Sequence, residues 1–260
     1  MAPSTAVTLH EAAHRLGVHY QTAYRWVRRG ELPAVKVAGT YVVDGDALAA
    51  FAAARAEPAA PPRQIEVRDW THQANRLYAA LLDGQELAAR EQLDRLREGG
   101  AGVAEICDRV MGPALVRVGL GWRRGVVSIA EEHRASAICE RLLGRFTPSP
   151  PGRPRGVCVA AAPPGEDHQL PGAMATAALR EDHWQVHHLG THVPVEEVAA
   201  LADAERAGMI VLSATYAATF AQAEIVARSL SRPDRKVLVG RPGMTLRELV
   251  EEARRPGPWA

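Results

Sequence analysis

The chain has 260 residues, enough for one to three domains, and its 47% hydrophobic and 23% charged residues are ordinary proportions for a globular protein. A formal net charge of +1 excludes a surface that is basic overall, so contact with nucleic acid requires a local patch. There is no secretory signal, no apolar run that could span a membrane, and no disulfide or zinc spacing among Cys107, Cys139 and Cys158. We therefore expect a cytoplasmic protein with reduced cysteines and no membrane partner.

Residues 1–57 are predicted to form a winged helix-turn-helix. Thr8 and Glu11 have the spacing of a capping box, and Gly17–His19 is a short turn between two helical patterns. A segment that alternates at period two around Ala38 and Gly39 then predicts a β-hairpin, followed by a third helix. The expected elements are helices over 11–16 and 20–29, a hairpin over 34–43 and a helix over 46–51.

The second helix and the hairpin carry side chains that suit DNA recognition. Arg pairs with guanine or phosphate, and Gln pairs with adenine. The candidate DNA-binding residues are Gln21, Thr22, Tyr24, Arg25, Arg28, Arg29 and Lys36. Six basic and four acidic side chains give residues 1–56 a charge of only +2, so oligomerisation is expected to be needed for binding. The alternative is a structural helical hairpin with solvated Arg side chains. Residues 24–34, Tyr-Arg-Trp-Val-Arg-Arg-Gly-Glu-Leu-Pro-Ala, resemble the MerR/excisionase-type winged helix, which implies double-stranded DNA as the partner.

A Pro/Ala-rich linker over 57–64 precedes four helical patterns in residues 66–148. The apolar positions that mark the helices are Trp70, Ala74, Leu77, Leu81, Leu87, Leu93, Leu96, Val103, Ile106, Val110 and Leu115. We expect residues 119–125, which are rich in glycine, to form a loop, and the capping box Ser128-x-x-Glu131 to start a fourth helix that runs to about Phe146. The short connections favour an antiparallel four-helix bundle.

Two features of this bundle are unusual. Glu132 and His133 lie in the first turns of the fourth helix, and Trp122 lies in the predicted loop, with nine residues between it and Glu132. Taken alone, these residues are more typical of a tryptophan that lines the core and a hydrogen-bonded histidine on a helix face than of a binding site.

Residues 156–260 alternate between strand and helix patterns, which predicts a parallel, doubly wound sheet. Strands are expected at 157–162, 184–190, 209–215 and 236–240, with helices at 173–182, 194–206, 219–230 and 245–255. One helix and a short tail follow the fourth strand, so the sheet looks truncated. The predicted fold class is multidomain α plus α/β: winged helix, four-helix bundle and Rossmann-like (flavodoxin-like) sheet.

The loop after the first strand of this sheet, residues 163–172, contains Glu166-x-His168. Ligands of open α/β sheets bind at the carboxyl ends of the strands, and a metal-binding imidazole commonly donates its second N–H to a carboxylate. The loop lacks the Gly-x-Gly-x-x-Gly of dinucleotide folds, and Ser213-Ala-Thr215 lacks the aspartate of a phosphoacceptor receiver domain. His187 and His188 are adjacent on a strand and face opposite sides, so joint zinc chelation with His192 is disfavoured.

The order of domains and four motifs resemble the CarH/LitR group of cobalamin-dependent, light-responsive MerR-type transcription factors. Glu166-x-His168 is similar to that group's Glu/Asp-x-His-x-x-Gly cobalamin motif, Ser213-x-Thr215 and Gly240 to its later motifs, and Trp122 with Glu132-His133 to its Trp, nine residues, Glu-His signature. Pro171 takes the position of the first motif's glycine, Arg241 follows Gly240 where a second glycine is usual, and His183-Trp184 replaces a usual glycine turn.

The resemblance implies adenosylcobalamin as the cofactor and a homo-oligomeric regulator in place of an enzyme. His168 would be the lower cobalt ligand with Glu166 behind it, and the cofactor tail would pass Ser213, Thr215 and Gly240. In the bundle, Trp122 would pack near the adenosyl group, Glu132 would bond its ribose, and His133 would reach the upper cobalt site after light. The dark form would be a DNA-binding tetramer that light dissociates. The alternatives are a cobalamin-independent regulator controlled by another ligand, chromophore or protein, and a corrinoid carrier for methyl transfer.

Overall fold

The computed structural model describes residues 6–37, 39–56, 69–146 and 152–255. The chain divides into two compact units, residues 1–63 and 64–260. The predicted linker at 57–64, residues 147–151 and the last five residues lie outside the described ranges. Within those ranges, every helix is too short or too polar to cross a membrane.

The first unit is a winged helix-turn-helix, as predicted. Its elements in chain order are β1 (Val7–Thr8), α1 (Leu9–Arg15), α2 (Tyr20–Arg28), β2 (Val35–Val37), β3 (Thr40–Val43) and α3 (Gly45–Ala56). The hairpin of β2 and β3 turns at Gly39, whose φ of +86° is a left-handed conformation that glycine adopts without steric cost. Leu9, Ala23, Leu32 and Val43 are buried in the shared core of this unit.

The start of this unit differs from the prediction in two ways. The chain enters through a short strand, β1, which pairs antiparallel with β3 and makes the wing a three-stranded sheet. The first helix therefore begins at Leu9, directly after Thr8, whose side chain caps it by accepting from the Glu11 N–H at 3.2 Å. In a full capping box the Glu11 carboxylate would accept from the Thr8 backbone N–H. Here it accepts from Arg15 Nε at 3.1 Å and forms an ion pair with that side chain.

The helical part of the second unit contains the four predicted helices, but the third is interrupted. Its elements are α4 (Trp70–Leu82), α5 (Glu86–Glu98), α6 (Val103–Ile106), a π-helical turn (Cys107–Met111), α7 (Gly112–Arg123) and α8 (Ile129–Arg145). Pro113 lies at the start of α7 and has no N–H to donate to the preceding turn, which accounts for the break in the α-helical pattern. The α8 capping box is confirmed in both directions, with Glu131 N donating to Ser128 Oγ at 3.2 Å and Ser128 N donating to Glu131 Oε2 at 2.7 Å.

The predicted loop at 119–125 is wrong, because α7 continues through both of its first glycines to Arg123. Gly121 serves close packing: a Cβ there would lie 2.6 Å from the Val127 side chain. The connection to α8 is therefore only the short turn around Gly125, whose φ is +70°. Gly121 therefore lets α7 pack closely against the segment that leads into α8, whereas a Cβ on Gly119 would meet nothing within 4 Å.

The sheet of the second unit is parallel and has helices on both faces, as predicted. Its elements are β4 (Val157–Ala161), α9 (Gln169–Glu181), β5 (Gln185–Gly190), α10 (Val195–Ala204), β6 (Met209–Ser213), α11 (Ala217–Leu230), β7 (Lys236–Gly240) and α12 (Leu246–Arg254). The strand order is β5-β4-β6-β7. The order reverses at β4, so the loop after β4 opens at the switch point where ligands of such sheets bind.

One apolar core joins the helical bundle to one face of this sheet. It includes Leu77, Val110 and Ile138 from the bundle together with Val211 and Leu238 from the strands. Two carboxylates reinforce the junction by capping helices across it. The Glu181 side chain accepts from the Val103 N–H at 2.7 Å, and the Asp108 side chain accepts from the Leu246 N–H at 2.8 Å.

The chain reverses between α9 and β5 without a glycine. His183 takes a left-handed φ of +67°, an uncommon conformation for a residue with a Cβ. Trp184 follows it, and its ring lies where a Cβ on Gly156 would approach to 2.9 Å. The His183-Trp184 departure is therefore accommodated by one strained residue and by a glycine on the neighbouring segment.

Candidate functional site

The loop after β4 brings Glu166 and His168 together as the sequence predicts. One carboxylate oxygen of Glu166, Oε1, lies 2.6 Å from His168 Nδ1 and accepts from the His168 backbone N–H at 3.0 Å. The Glu166 side chain is fully buried, whereas 48% of the His168 side chain remains exposed. The buried carboxylate thus holds a half-exposed imidazole by one ring nitrogen.

The other oxygen of Glu166 is held by the loop after β6 and by the first turn of α11. Oε2 accepts from the Thr215 N–H and hydroxyl, both at 2.7 Å, and from the Thr219 hydroxyl at 2.9 Å. Since α11 begins at Ala217, its partly positive N-terminus also faces this carboxylate. Residues from both loops at the switch point therefore share one acid.

These hydrogen bonds keep Glu166 ionised. Burial opposes the charge, but the hydrogen bonds from Thr215 and His168 outweigh it and lower the pKa of Glu166 to about 2. An ionised carboxylate can only accept, so His168 Nδ1 must carry a proton. In the neutral imidazole this leaves a lone pair on Nε2, the tautomer that a metal-binding histidine needs.

Tyr216 covers that nitrogen in this structure. Its hydroxyl lies 3.1 Å from His168 Nε2, and the two rings meet edge to face with centroids 5.1 Å apart. Tyr216 is the residue before α11, and its backbone N–H donates to the Thr219 hydroxyl at 3.2 Å. Tyr216 is 53% exposed, and its ring contacts His168 through this hydrogen bond and the edge-to-face packing.

A second group of predicted residues lies where α9 passes over the sheet. A Cβ on Gly172 would lie 3.0 Å from His188 Nε2 and 3.2 Å from Ser213 Oγ, so glycine is what allows α9 to approach both side chains. Burial lowers the pKa of His188, and the charge of Arg180 acts in the same direction, so both favour the neutral ring. Pro171 is accommodated because it lies in the first turn of α9, where a backbone N–H would have no carbonyl partner within the helix.

Gly240 ends β7 beside Ser213, with its carbonyl accepting from the Ala214 N–H at 3.1 Å. A Cβ at Gly240 would make only ordinary contacts of 3.6 Å or more with the protein. The protein itself therefore does not require glycine there. The predicted places of Ser213, Thr215 and Gly240 beside a cofactor tail stay predictions, and here the Thr215 hydroxyl is bonded to Glu166.

In the bundle, Trp122 lies in the last turn of α7 with 49% of its surface exposed, and not in a loop as the sequence suggested. Glu132 and His133 lie in the first turn and a half of α8, as predicted. Glu132 Oε1 accepts from the Ser136 hydroxyl at 2.9 Å, and Oε2 lies 2.6 Å from His133 Nδ1. The His133 side chain is 72% exposed, so its Nε2 edge is open to a further partner.

The other histidines do not combine into a metal site. His187 faces α10, with Nε2 3.5 Å from Glu205, while His188 faces α9, and His192 lies 3.4 Å from Asp167. Within the described ranges, no three His, Cys, Asp or Glu side chains are grouped so that they could hold a metal ion. A metal bound here would need most of its ligands from a cofactor.

In the winged helix, Gln21, Arg25, Arg28, Arg29 and Lys36 are exposed, while Thr22 and Tyr24 are half-buried. Tyr24 packs edge to face on Tyr41 with ring centroids 5.8 Å apart, and Arg29 lies 3.8 Å from Glu31. The exposed face of α2 therefore presents Gln21, Arg25 and Arg28, with Arg29 directly after the helix, and Tyr24 also supports the wing.

Comparison with known families agrees with this arrangement. Residues 6–56 match a helix-turn-helix domain, and residues 73–146 and 156–257 match two B12 binding domain families. The chain is 34% identical over 109 residues to the HTH-type transcriptional repressor CarH of Myxococcus xanthus, a match that covers 41% of this chain and 36% of CarH. Over this stretch the chain is similar to CarH. The match spans about a third of the relative's length.

One solved structure supports the fold at low identity. The monomethylamine corrinoid protein of Methanosarcina barkeri matches with a TM-score of 0.54 at 14% identity, over 71% of this chain and 98% of that chain. A cobalamin-binding protein from Desulfitobacterium hafniense matches with a TM-score of 0.37 at 18% identity, over 75% of this chain and 100% of that chain. At this identity the first likeness supports the fold alone.

Two residues of the site were not anticipated from the sequence. Thr219 lies inside the predicted helix 219–230, and Tyr216 lies just before it. The signal that could have found Thr219 is the Thr-x-x-x-Thr spacing from Thr215, which brings two hydroxyls to one helix N-terminus. Tyr216 offered no signal, because a tyrosine in a loop after a strand is common.

Proposed function

We propose that this chain is a cobalamin-dependent, light-responsive transcription regulator that acts as a repressor. In the proposal it holds adenosylcobalamin between the helical bundle and the sheet and binds double-stranded DNA as a homo-oligomer, a dimer or tetramer, in the dark. It releases DNA in the light. It acts as a regulator and photoreceptor and not as an enzyme.

The observation that carries the proposal is the Glu166–His168 pair. A neutral imidazole whose Nδ1–H is fixed by a buried, ionised carboxylate presents Nε2 as a ligand, so His168 would be the residue that holds the cobalt of a bound corrinoid. Five hydrogen bonds converge on that carboxylate, counting the two from His168 and the three from Thr215 and Thr219. The residues present therefore fit the group that the B12 binding domains imply.

The light response rests on Trp122, Glu132 and His133. When bound, the cofactor supplies a cobalt–carbon bond that green light breaks. The half-exposed Trp122 ring offers an apolar surface for an adenosyl group, and Glu132 offers a carboxylate for its ribose hydroxyls. The exposed His133 offers a nitrogen for the upper side of the cobalt once the adenosyl group has gone.

The oligomer follows from the charge of the winged helix. Its net charge of +2 neutralises few phosphates, so one copy binds DNA weakly and several copies together bind it well. A ligand can shift such an assembly only if it contacts the two states differently. In the proposal the contacts that differ are those of the adenosyl group with Trp122 and Glu132.

The test is to reconstitute the full chain with adenosylcobalamin and to follow its absorption spectrum and its size by chromatography, in the dark and after green light. We expect a larger species in the dark that falls to a smaller one as the spectrum changes. An unchanged oligomer after complete photolysis would contradict the light switch and leave a cobalamin-binding regulator. A chain that takes up no cobalamin would point to a regulator controlled by another ligand, and uptake with no DNA affinity would point to a corrinoid carrier.

DNA recognition is tested by Arg25→Ala and Arg28→Ala, with Arg247→Ala on α12 as the matched control. We expect each of the first two variants to lose about 1–3 kcal/mol of specific binding, because these exposed arginines lie on the outer face of α2. The measurement is affinity at fixed salt for a DNA selected from a random pool by the dark, reconstituted protein. Unchanged affinity in both variants would remove α2 from the interface.

A further inference from the structure

Tyr216 and the proposed cobalt ligand use the same lone pair. In the neutral imidazole Glu166 fixes the proton of His168 on Nδ1, so Nε2 offers its lone pair to the Tyr216 hydroxyl at 3.1 Å. The hydroxyl must therefore be the donor. A metal bound to Nε2 needs that same lone pair.

The distances do not allow the Tyr216 hydroxyl and a metal to bind His168 Nε2 at the same time. A bond from an imidazole nitrogen to a first-row metal is about 2 Å long. A hydroxyl oxygen 3.1 Å from Nε2 on the same side would then lie roughly 1 Å from the metal, well inside any possible contact. The Tyr216 side chain must leave before His168 can bind a metal.

The structure lets the side chain leave while its backbone stays in place. The Tyr216 N–H is held by the Thr219 hydroxyl, which also bonds Glu166. The ring, in contrast, is half exposed and is held by its hydrogen bond and edge contact with His168. Rotation of one side chain uncovers Nε2, and the carboxylate behind His168 is not disturbed.

We infer that Tyr216 is a positioning residue that occupies the ligand nitrogen of His168 in the cofactor-free protein and competes with the cofactor for it. This inference rests on the proposed function. Tyr216 keeps the half-exposed imidazole in its ligand-ready tautomer and orientation, and its departure is part of cofactor uptake. The affinity for the cofactor is therefore lower than His168 and Glu166 alone would give.

The test compares Tyr216→Phe with the wild-type chain in a titration with adenosylcobalamin in the dark. Phenylalanine keeps the ring and removes only the donor. Since one intramolecular hydrogen bond has a modest net strength, we expect Tyr216→Phe to bind roughly 2- to 10-fold more tightly. Tyr78→Phe, in the bundle, is the matched control and should leave the affinity unchanged.

Two results overturn the inference while the proposed function stands. One is equal affinity of wild type and Tyr216→Phe. The other is weaker binding by Tyr216→Phe, which would make the hydroxyl a partner of the bound cofactor and not its competitor. Absence of cobalamin binding in the wild-type chain would instead contradict both the proposed function and the inferred competition between Tyr216 and the cofactor.

A second readout needs no cofactor. In the cofactor-free chain labelled with ¹⁵N-histidine, the His168 Nε2 resonance, assigned by its loss in His168→Ala, should shift in Tyr216→Phe and stay in place in Tyr78→Phe. A merely structural role for the tyrosine would leave this resonance where it is. An unshifted resonance would show that the hydroxyl does not bond this nitrogen.

Discussion

The two candidate ligand histidines, His168 and His133, are held in very different ways. His168 is backed by a fully buried glutamate that is itself held by Thr215 and Thr219. His133 is 72% exposed, and its hydrogen bond is to Glu132, the residue before it on the same helix. One site is assembled from two loops at the edge of the sheet, whereas the other is a local pair at the start of α8.

The difference separates a permanent ligand from a conditional one. The orientation and proton position of His168 are fixed before any cofactor arrives, so little order has to be gained on binding. His133 is held only by Glu132 on its own helix and is 72% exposed, which suits a nitrogen that would be needed only after the adenosyl group has gone. If this contrast is correct, damage to the first site should abolish binding, and damage to the second should change only the illuminated state.

The largest expected effect is that of His168→Ala. Loss of the cobalt ligand should weaken dark binding of adenosylcobalamin by more than the roughly 100-fold that changes behind a ligand can cause. His133→Ala should bind adenosylcobalamin within about 3-fold of wild type in the dark, since the exposed hydrogen bond between Glu132 and His133 contributes little to the affinity. The variant should still release DNA in the light. Its illuminated product should differ in spectrum and lose cofactor faster. His192→Ala, an exposed histidine near the same loop, is the control for both.

The next effect is that of Glu166→Gln, measured by dark cobalamin titration. A glutamine NH₂ in place of either carboxylate oxygen would face a backbone N–H that can only donate, that of His168 or that of Thr215, so the imidazole would lose its fixed orientation. We expect the affinity to fall roughly 10- to 100-fold. Glu132→Gln, the equivalent change at the second histidine, should leave the affinity much closer to wild type. Equal losses in the two variants would end the distinction between the sites.

A smaller effect is expected from Thr219→Val. The change keeps the shape of the side chain and removes one of the donors to Glu166 while Thr215 still supplies two. A single hydrogen bond to a charged group suggests a loss in cobalamin affinity of about 10-fold. Thr245→Val, a helix cap distant in sequence on α12, controls for general loss of stability. Wild-type affinity in Thr219→Val would show that the carboxylate needs only Thr215.

The smallest effect is expected from Ser128→Ala, at the start of α8. It removes the cap that fixes the first turn of the helix on which Glu132 and His133 lie. Loss of such a cap lowers the free energy of unfolding by about 1 kcal/mol. Thermal or denaturant unfolding of the cofactor-free chain measures it, and dark cobalamin affinity should stay near wild type. A large loss of affinity would mean that α8 helps to build the binding site before illumination.

The sequence predicted those parts of the site that depend on local pattern. Glu166 and His168 are two residues apart in a loop whose place after a strand is readable, and the structure joins them as expected. Trp122 was placed in a loop because glycines usually interrupt helices, but Gly121 is explained by its contact with Val127, which lies in another segment. Thr219 and Tyr216 are 53 and 48 residues from their partners, so only the folded sheet reveals them. Local patterns gave the fold class and the ligand pair, and tertiary packing decided the rest.

The most direct test of the central claim is electron paramagnetic resonance of the chain loaded with cobalt(II) cobalamin. The unpaired electron on the metal couples to the nucleus of an axial nitrogen, so the ligand can be identified by isotope. In protein labelled with ¹⁵N-histidine, we expect each cobalt line to change from the triplet of ¹⁴N to the doublet of ¹⁵N, and His168→Ala to lose this coupling. A triplet that persists in labelled protein would show that the lower nitrogen comes from the cofactor's own base, which would contradict the role assigned to His168.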